Sequence, residues 1–312
     1  MTEAAVHDDL RPLLFSIAYR MVGSVTDAED IVQDAYLRYH RAMQQSDAEV
    51  DSPKAYLSTV TTRLAVDHLR SARVRREEYI GPWLPEPLLT DPDPGAAELA
   101  ETADSLSVAF LVVLESLSPV ERAVFLLHDV FDFSYAEIAA IVDKSETNCR
   151  QLATRARRHV DERRPRFTSS PRERAEITER FLAACRDGDV DSFVTLLADD
   201  VVFYGDGGGH GYGIPNPVYG SDRVARLLVG FRHQFEPGAI MLEPAEVNGQ
   251  PGARCVDASG RLVNLLAIDV EDGRIRRVWS VINHDKLHHL APLADLAALL
   301  GEPRIRTDRP GS

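Results

Sequence analysis

The sequence predicts a multidomain chain of two all-α modules, the second built on a helix-turn-helix, followed by a C-terminal α+β domain. Three observations predict it. At 312 residues the chain exceeds what one hydrophobic core usually organises. Its first half places apolar residues at the 3- and 4-residue spacing of helices. Its second half contains alternating runs separated by turn dipeptides. The boundaries read from these patterns are 1–80, a linker at 81–98, 99–164, 165–290 and a tail at 291–312.

From Asp8 to Arg76 the pattern is helical throughout. Thr26 is a candidate N-cap for a helix with acids in its first turn. Ala28, Ile31, Val32, Ala35 and Tyr36 fall on its buried face, and Asp27, Asp30, Gln33, Asp34 and Arg38 form a polar stripe opposite. A turn-rich stretch from Gln45 to Pro53 leads to a helix from Lys54, which runs into a cluster of arginines. Pro82, Pro85, Pro87, Pro92 and Pro94, bracketed by Gly81 and Gly95, then bar a helix. Trp83, Leu84, Leu88 and Leu89 make that linker too apolar for a solvated tether, so it reads as a strap that docks on something.

The chain is helical again from Leu99 to Arg164, and a second linker spans Arg163 to Pro171. Beyond it come a helix (Arg172 to Arg186), a Gly-rich segment (Gly205 to Gly220) and another helix (Asp222 to Phe235). Strand-like runs follow at Met241–Val247, Ala253–Ala258, Leu262–Val270 and Ile275–Ile282. Asn248-Gly249, Ser259-Gly260 and Asp272-Gly273 between them are hairpin signals. Helices first and a meander after predict an α+β domain with a curved sheet. The tail carries a short helix candidate (Leu293 to Leu300) and then a polar end.

Composition excludes several classes. No apolar run reaches the roughly 18 residues of a spanning helix, and the N-terminus lacks the basic-then-apolar grammar of a signal peptide. Cys149, Cys185 and Cys255 are too few and too scattered for a disulfide framework or a metal site. His284, His288 and His289 have no carboxylate or thiol pattern to complete a metal site. A reduced, cytoplasmic protein without cofactor or metal is expected. The net charge of −14 argues at first against nucleic acid, but its distribution reverses that reading. Residues 63–76 carry five Arg against one Asp, and residues 150–166 carry seven Arg against two acids, while 81–118 hold seven acids and no base. Local basic patches, not the whole-molecule sum, neutralise phosphates.

The strongest local signal lies between Tyr135 and Arg158. Ile138, Ala139 and Val142 would bury a first helix, Asp143-Lys144-Ser145 would turn, and Cys149 and Leu152 would bury a second. Asp tolerates the left-handed backbone such a turn needs, and Ser145 can cap the second helix. Its exposed residues Glu146, Thr147, Asn148, Arg150, Gln151, Thr154 and Arg155, with the basic run to Arg158, suit base edges and phosphates in a major groove. An ordinary helical hairpin is the bland alternative. In the earlier basic helix, Leu64, Ala65, Leu69 and His68 face inward, while Arg63, Arg70, Arg73, Arg75 and Arg76 would face a phosphate backbone.

The order AEDIVQDAYLRYHRA, TTRLAVDHLRSARVRR, linker, LSPVERAVFLLHDVFDFSYAEIAAIVDKSE resembles the extracytoplasmic-function sigma factors over residues 8 to 164. The resemblance implies that the first module is sigma region 2 and the second region 4. It places Asp30, Gln33, Asp34, Leu37 and Arg38 against RNA polymerase core. It assigns the −10 element to Arg63, Asp67, Arg70, Arg73, Arg75 and Arg76, with the loop from Gln45 to Pro53 holding a flipped base. The helix-turn-helix residues above would read the −35 element. FLAACRDGDVDSFVTLLADDVVFYGDGGG resembles the opening of a SnoaL-like, NTF2-like domain, a cone of helices on a curved sheet. One branch of these sigma factors carries such an extension, with hallmarks matched here by Trp83-Leu-Pro-Glu-Pro87, Asp206-Gly-Gly-Gly-His210 and Asn283-His-Asp-Lys-Leu287. His210 and His284 depart from the usual Lys and Pro. By this resemblance Trp83, Pro85, Pro87, Asp206, Gly207, Gly208, Gly209, Asn283, Asp285, Lys286 and Leu287 mediate regulation between domains.

Three readings of the C-terminal domain follow: a built-in regulator of the sigma half, a sensor of a small-molecule ligand, and an enzyme of the cyclase or isomerase kind using Asp206 or a pocket His. The chain as a whole is expected to be no enzyme. Its expected partners are polymerase core and promoter DNA, not a membrane, and it would act as one copy per polymerase. A stand-alone helix-turn-helix regulator is the alternative, and the Asp27-to-Arg38 polar stripe speaks against it.

Overall fold

The computed structural model describes residues 3–45, 52–77, 79–90, 105–162, 171–209, 212–236 and 238–301. The chain divides into two compact units that do not follow chain order. One comprises Met1–Glu77 and Leu111–Arg164, the other Glu78–Phe110 and Pro165–Ser312. Among the described residues, no helix is long and apolar enough to cross a membrane.

The first unit is all-α. Helices α1 (Glu3–Val22), α2 (Val25–Gln45) and α3 (Pro53–Glu77) pack on one another. Their shared core includes Leu14, Ile17, Tyr19, Ala28, Ile31, Val32, Ala35, Leu57, Ala65 and Leu69. The expected inward face of α2 is therefore the one that is buried, except that Tyr36 is only half-buried. The α2 cap is Ser24, not Thr26: the helix starts earlier, and Ser24 Oγ accepts from Asp27 N at 3.1 Å. Helix α4 (Val108–Leu114) carries the chain between the units. The first unit is completed by α5 (Pro119–Asp129), α6 (Tyr135–Val142) and α7 (Glu146–Asp161).

The second unit is α+β. It contains β1 (Leu89–Thr90), α8 (Pro171–Asp187), α9 (Val190–Leu196), β2 (Leu197–Asp206), β3 (Val218–Tyr219) and α10 (Ser221–Arg232). Strands β4 (Ile240–Val247), β5 (Gln250–Asp257), β6 (Leu262–Glu271) and β7 (Arg274–Val281) follow, then two 3-10 turns and α11 (Leu296–Leu300). The sheet order is β1-β4-β5-β6-β7-β2-β3, with only β2 and β7 parallel. Register shifts in the β2–β7, β5–β6 and β6–β7 pairs are the irregularities that bend a sheet. Phe181, Phe193, Leu197, Val201, Val224, Ile275 and Val278 fill the space between helices and sheet. Helices packed on a bent, mostly antiparallel sheet form the α+β domain, or cone, that the sequence predicts.

Asn248-Gly249 and Asp272-Gly273 both have positive φ at both positions (54° and 68°; 51° and 71°). A two-residue type I′ hairpin requires that. In Ser259-Gly260 only the glycine does, at 77°. Strand β2 escapes the sequence reading because exposed Asp199 and Asp200 interrupt its apolar run where its register shifts. The segment 291–301 packs on the domain, with Leu293 bridging Leu262 and with Ala294 and Leu296 buried.

Candidate functional site

Helix α6 starts on a capping box. Ser134 N donates to Glu137 Oε2 at 2.8 Å, and Glu137 N donates to Ser134 Oγ at 3.3 Å. The Ser134 hydroxyl, which donates to Glu137 Oε2 at 2.6 Å, and then the Ser134 amide hold the Glu137 carboxyl below its usual pKa. Asp143 ends α6 in the left-handed region at φ 52°, as the turn demands. Ser145 then caps α7, its Oγ accepting from Asn148 N at 3.2 Å. Ile138 and Ile141 are the buried residues of α6, with Ala139 and Val142 half-buried. On α7 they are Cys149, Ala153, Ala156 and Val160, and Leu152 is only half-buried. The inward stripe is thus rotated slightly from the expected one.

The outward face of α7 gathers Glu146, Thr147, Asn148, Arg150, Gln151, Thr154, Arg155 and Arg158, all exposed. Arg150 pairs with Glu146 at 2.7 Å and lies 5.2 Å from the Tyr135 ring. Arg158 pairs loosely with Glu162 at 3.6 Å. Exposed pairs of this kind are weak and yield readily to a phosphate. Arg157, by contrast, is held inward by Asp129 at 2.6 Å, which raises its pKa.

Asp30, Gln33, Asp34, Leu37 and Arg38 share the exposed face of α2, and Leu37 is 46% exposed. An exposed leucine amid that polar stripe is the apolar anchor a protein partner would use. On α3, Asp67 and Arg70 are exposed and paired at 3.2 Å. The side chains of Arg73, Arg75 and Arg76 lie outside the described residues, as does the loop at 46–51.

Three arginines join the helical modules inside this unit. Arg63 donates to the carbonyls of Ile141 and Ala140, both at 2.9 Å, at the C-terminal end of α6, where a cation complements the helix dipole. Buried Arg122 donates to Leu114 O (2.9 Å), Met21 O (2.5 Å) and the Glu115 carboxylate (2.9 Å). Arg20, whose pKa burial lowers to about 10, lies 5.7 Å from the Phe131 ring. Sequence reasoning missed Arg20 and Arg122, because an arginine on a helix reads as solvated.

In the second unit the strap residues and both glycine-adjacent motifs converge. Asp206 is fully buried and accepts from Leu84 N (2.9 Å), Gly208 N (3.1 Å), Lys286 Nζ (2.7 Å) and the Tyr79 hydroxyl. Lys286 Nζ also donates to Leu84 O, and it sits 4.1 Å from the Trp83 ring and 4.8 Å from that of Tyr79. Burial beside Asp206 drives the Tyr79 hydroxyl pKa upward. Asn283 donates to Tyr79 Oη at 3.0 Å. A Cβ on Gly207 would lie 2.3 Å from Gly213, and one on Gly208, at φ 62°, 2.3 Å from Asn283. Pro85, Pro87 and Leu287 are buried, Gly209 lies beside Ile80, and the Asp285 carboxylate points outward. His210 lies outside the described residues.

A second grip comes from the β4–β5 hairpin. Asn248 exchanges bonds with Leu88 (N to O, 2.8 Å; Oδ1 from N, 3.0 Å) and donates to Leu106 O at 3.1 Å. Gln250 accepts from Val108 N at 2.9 Å. Sequence reasoning read Asn248 only as a turn residue and gave Gln250 no role.

Within the cone a partly open cavity of about 80 Å³ is lined mainly by apolar side chains. Asn264, Ser280, Cys185, Cys255, Tyr212 and Arg232 supply its polar atoms. Burial pushes both thiols up to about 12. Among the described residues its lining has no carboxylate or imidazole. Asp206, weighed as a general acid–base, belongs to the strap network instead. No group of His, Cys, Asp and Glu among the described residues could hold a metal, and all three cysteines are free and buried.

The helical unit matches the family models Sigma-70 region 2 at residues 6–75 and Sigma-70 region 4 at residues 107–160. Over 296 residues the chain is 40% identical to the ECF RNA polymerase sigma factor SigJ of Mycobacterium tuberculosis, covering 91% of this chain and 93% of that relative. The chain belongs to the extracytoplasmic-function sigma factors. A second relative, the probable ECF sigma factor SigI of M. tuberculosis, is 33% identical over 283 residues, 90% of this chain and 93% of its own. The crystal structure of M. tuberculosis SigJ matches this sigma factor with a TM-score of 0.73 at 38% identity, covering 93% of this chain and all of that one. Region 2, region 4 and the C-terminal α+β domain are therefore parts of one sigma factor, a transcription initiation factor that binds polymerase core and promoter DNA and is not an enzyme.

Proposed function

We propose that this sigma factor reads −35 promoter DNA with Glu146, Thr147, Asn148, Arg150, Gln151, Thr154, Arg155 and Arg158, and contacts polymerase core through Asp30, Gln33, Asp34, Leu37 and Arg38. Arg63, Asp67, Arg70, Arg73, Arg75 and Arg76 serve the −10 element. The observation that carries the −35 reading is the wholly exposed polar and basic face of α7, presented behind a capped, left-handed turn. The two elements are centred about 25 base pairs apart by their names, or about 85 Å at ~3.4 Å per pair. Arg63 bound to the end of α6 therefore has to let go before both are read at once. The protein works in the cytoplasm, where polymerase is, as one copy per polymerase.

The cone acts as a built-in regulator. Its support is the Asp206–Lys286–Tyr79–Trp83 network, which pins the strap onto the cone and so restrains the segment between regions 2 and 4. A small molecule in the cone cavity adjusts that restraint.

Replacing Arg155 with alanine weakens binding to −35-containing duplex by about 1–3 kcal/mol, roughly five- to 150-fold. Fluorescence anisotropy with holoenzyme on matched and scrambled −35 duplexes checks it. Unchanged affinity for the matched duplex would count against the assignment of α7.

A further inference from the structure

The cone cavity carries a chemical signature of its occupant. Asn264 is only 3% exposed and lies at the wall of the cavity together with Ser280. Asn264 Nδ2 donates to Ser280 Oγ at 3.2 Å, while Asn264 Oδ1 has no hydrogen-bond partner. A buried acceptor left unmatched is costly, and native proteins seldom tolerate one without a water or ligand to serve it. Ser280 still has its own hydroxyl proton to give. The pair therefore leaves one unmatched acceptor and one donor at the cavity wall, which an O–H group, of a water or of a ligand, answers.

The remaining walls set the rest of the molecule. Leu227, Leu228, Phe231, Ile240 and Leu242 line the cavity without being fully buried, so they can move to admit a ring or short chain. The present volume of about 80 Å³ is roughly half that of a cavity that takes benzene, so a single small ring enters only as these half-buried walls give way, and nothing larger than one ring fits. A charged head would have to leave water for a lining whose only cation, among the described residues, is the half-buried Arg232.

We propose that the cavity binds a small, uncharged, apolar alcohol or phenol, its hydroxyl donating to Asn264 Oδ1 and accepting from Ser280. The proposal deepens the regulatory reading of the cone and rests on it for its biological meaning, though not for the binding itself.

Phenol and toluene, which differ by hydroxyl against methyl, are titrated into the full-length protein. Methyl NMR signals of Ile214, Leu242, Leu266 and Ile282 report occupancy, with benzoate as the charged control. Phenol is expected to bind saturably and about five- to tenfold more tightly than toluene, with benzoate weakest. In Asn264→Leu the preference for phenol disappears. Equal affinity for phenol and toluene, tighter binding of benzoate, or no saturable shifts would each overturn the proposal. The comparison on unaltered protein keeps the test valid even if the variant misfolds. Run-off transcription with and without phenol separates the two levels: binding with unchanged transcription upholds the site and removes the sensor role.

Discussion

Replacement of Asp206 with alanine is expected to destabilise the C-terminal unit by about 3–5 kcal/mol, the cost of stranding one member of a buried ion pair. Asp206 is fully buried and its partner Lys286 is 7% exposed. Without the carboxylate, the ammonium loses its ion pair while it still faces Leu84 O and the rings of Trp83 and Tyr79. The Leu84 and Gly208 amides lose their acceptor. The strap should loosen around Tyr79 to Leu84 at the same time, because five of its contacts end on Asp206 or Lys286. Thermal unfolding of the full chain checks the stability loss, and limited proteolysis at residues 79–90 checks the release. The double variant Asp206→Ala/Lys286→Met should regain much of the loss, since it removes the unpaired charge. A loss below about 1 kcal/mol in the single variant would mean the network is not what holds the strap.

Arg122→Ala should cost the helical unit a similar amount, about 3–5 kcal/mol. Its guanidinium is 2% exposed and satisfies three acceptors at once, on Met21, Leu114 and Glu115. Removing it leaves two carbonyls at helix ends without that donor and the Glu115 carboxylate without this ion pair. Arg122→Lys should recover less than half, because an ammonium cannot reproduce the guanidinium fork. Chemical denaturation followed by helical circular dichroism reads both. Equal stability of the alanine variant and the natural protein would show that Arg122 does not join the modules.

Much of the sigma half was legible because its signals are local. The α7 face alternates polar and apolar at helical spacing, and its cap, Ser145, stands at the required offset. The strap was legible because tryptophan and leucines sat among prolines. Arginine was the least legible residue type. Arg63 looks like a phosphate ligand in sequence, and in this structure it closes a helix end 77 and 78 residues away. Arg20 and Arg122 gave no signal at all, since nothing local distinguishes a buried arginine from a solvated one. Asn248 was recognised for its turn, but its side-chain grip on Leu88 and Leu106 depends on residues 142 to 160 positions distant. The cavity could not be outlined from sequence because its lining spans Cys185 to Ile282. The one available hint was Asn264, a lone amide in the apolar run of β6.

The central claim is that this chain directs polymerase to promoters under the control of its own cone. The most direct measurement incubates full-length protein, and a truncation after residue 170, with RNA polymerase core and then runs off transcripts from a genomic promoter library. The account predicts core binding by both, promoter-specific transcripts, and a promoter output that differs between the two once the strap loses its anchor. Absence of core binding by either protein would contradict it and leave a stand-alone DNA-binding regulator.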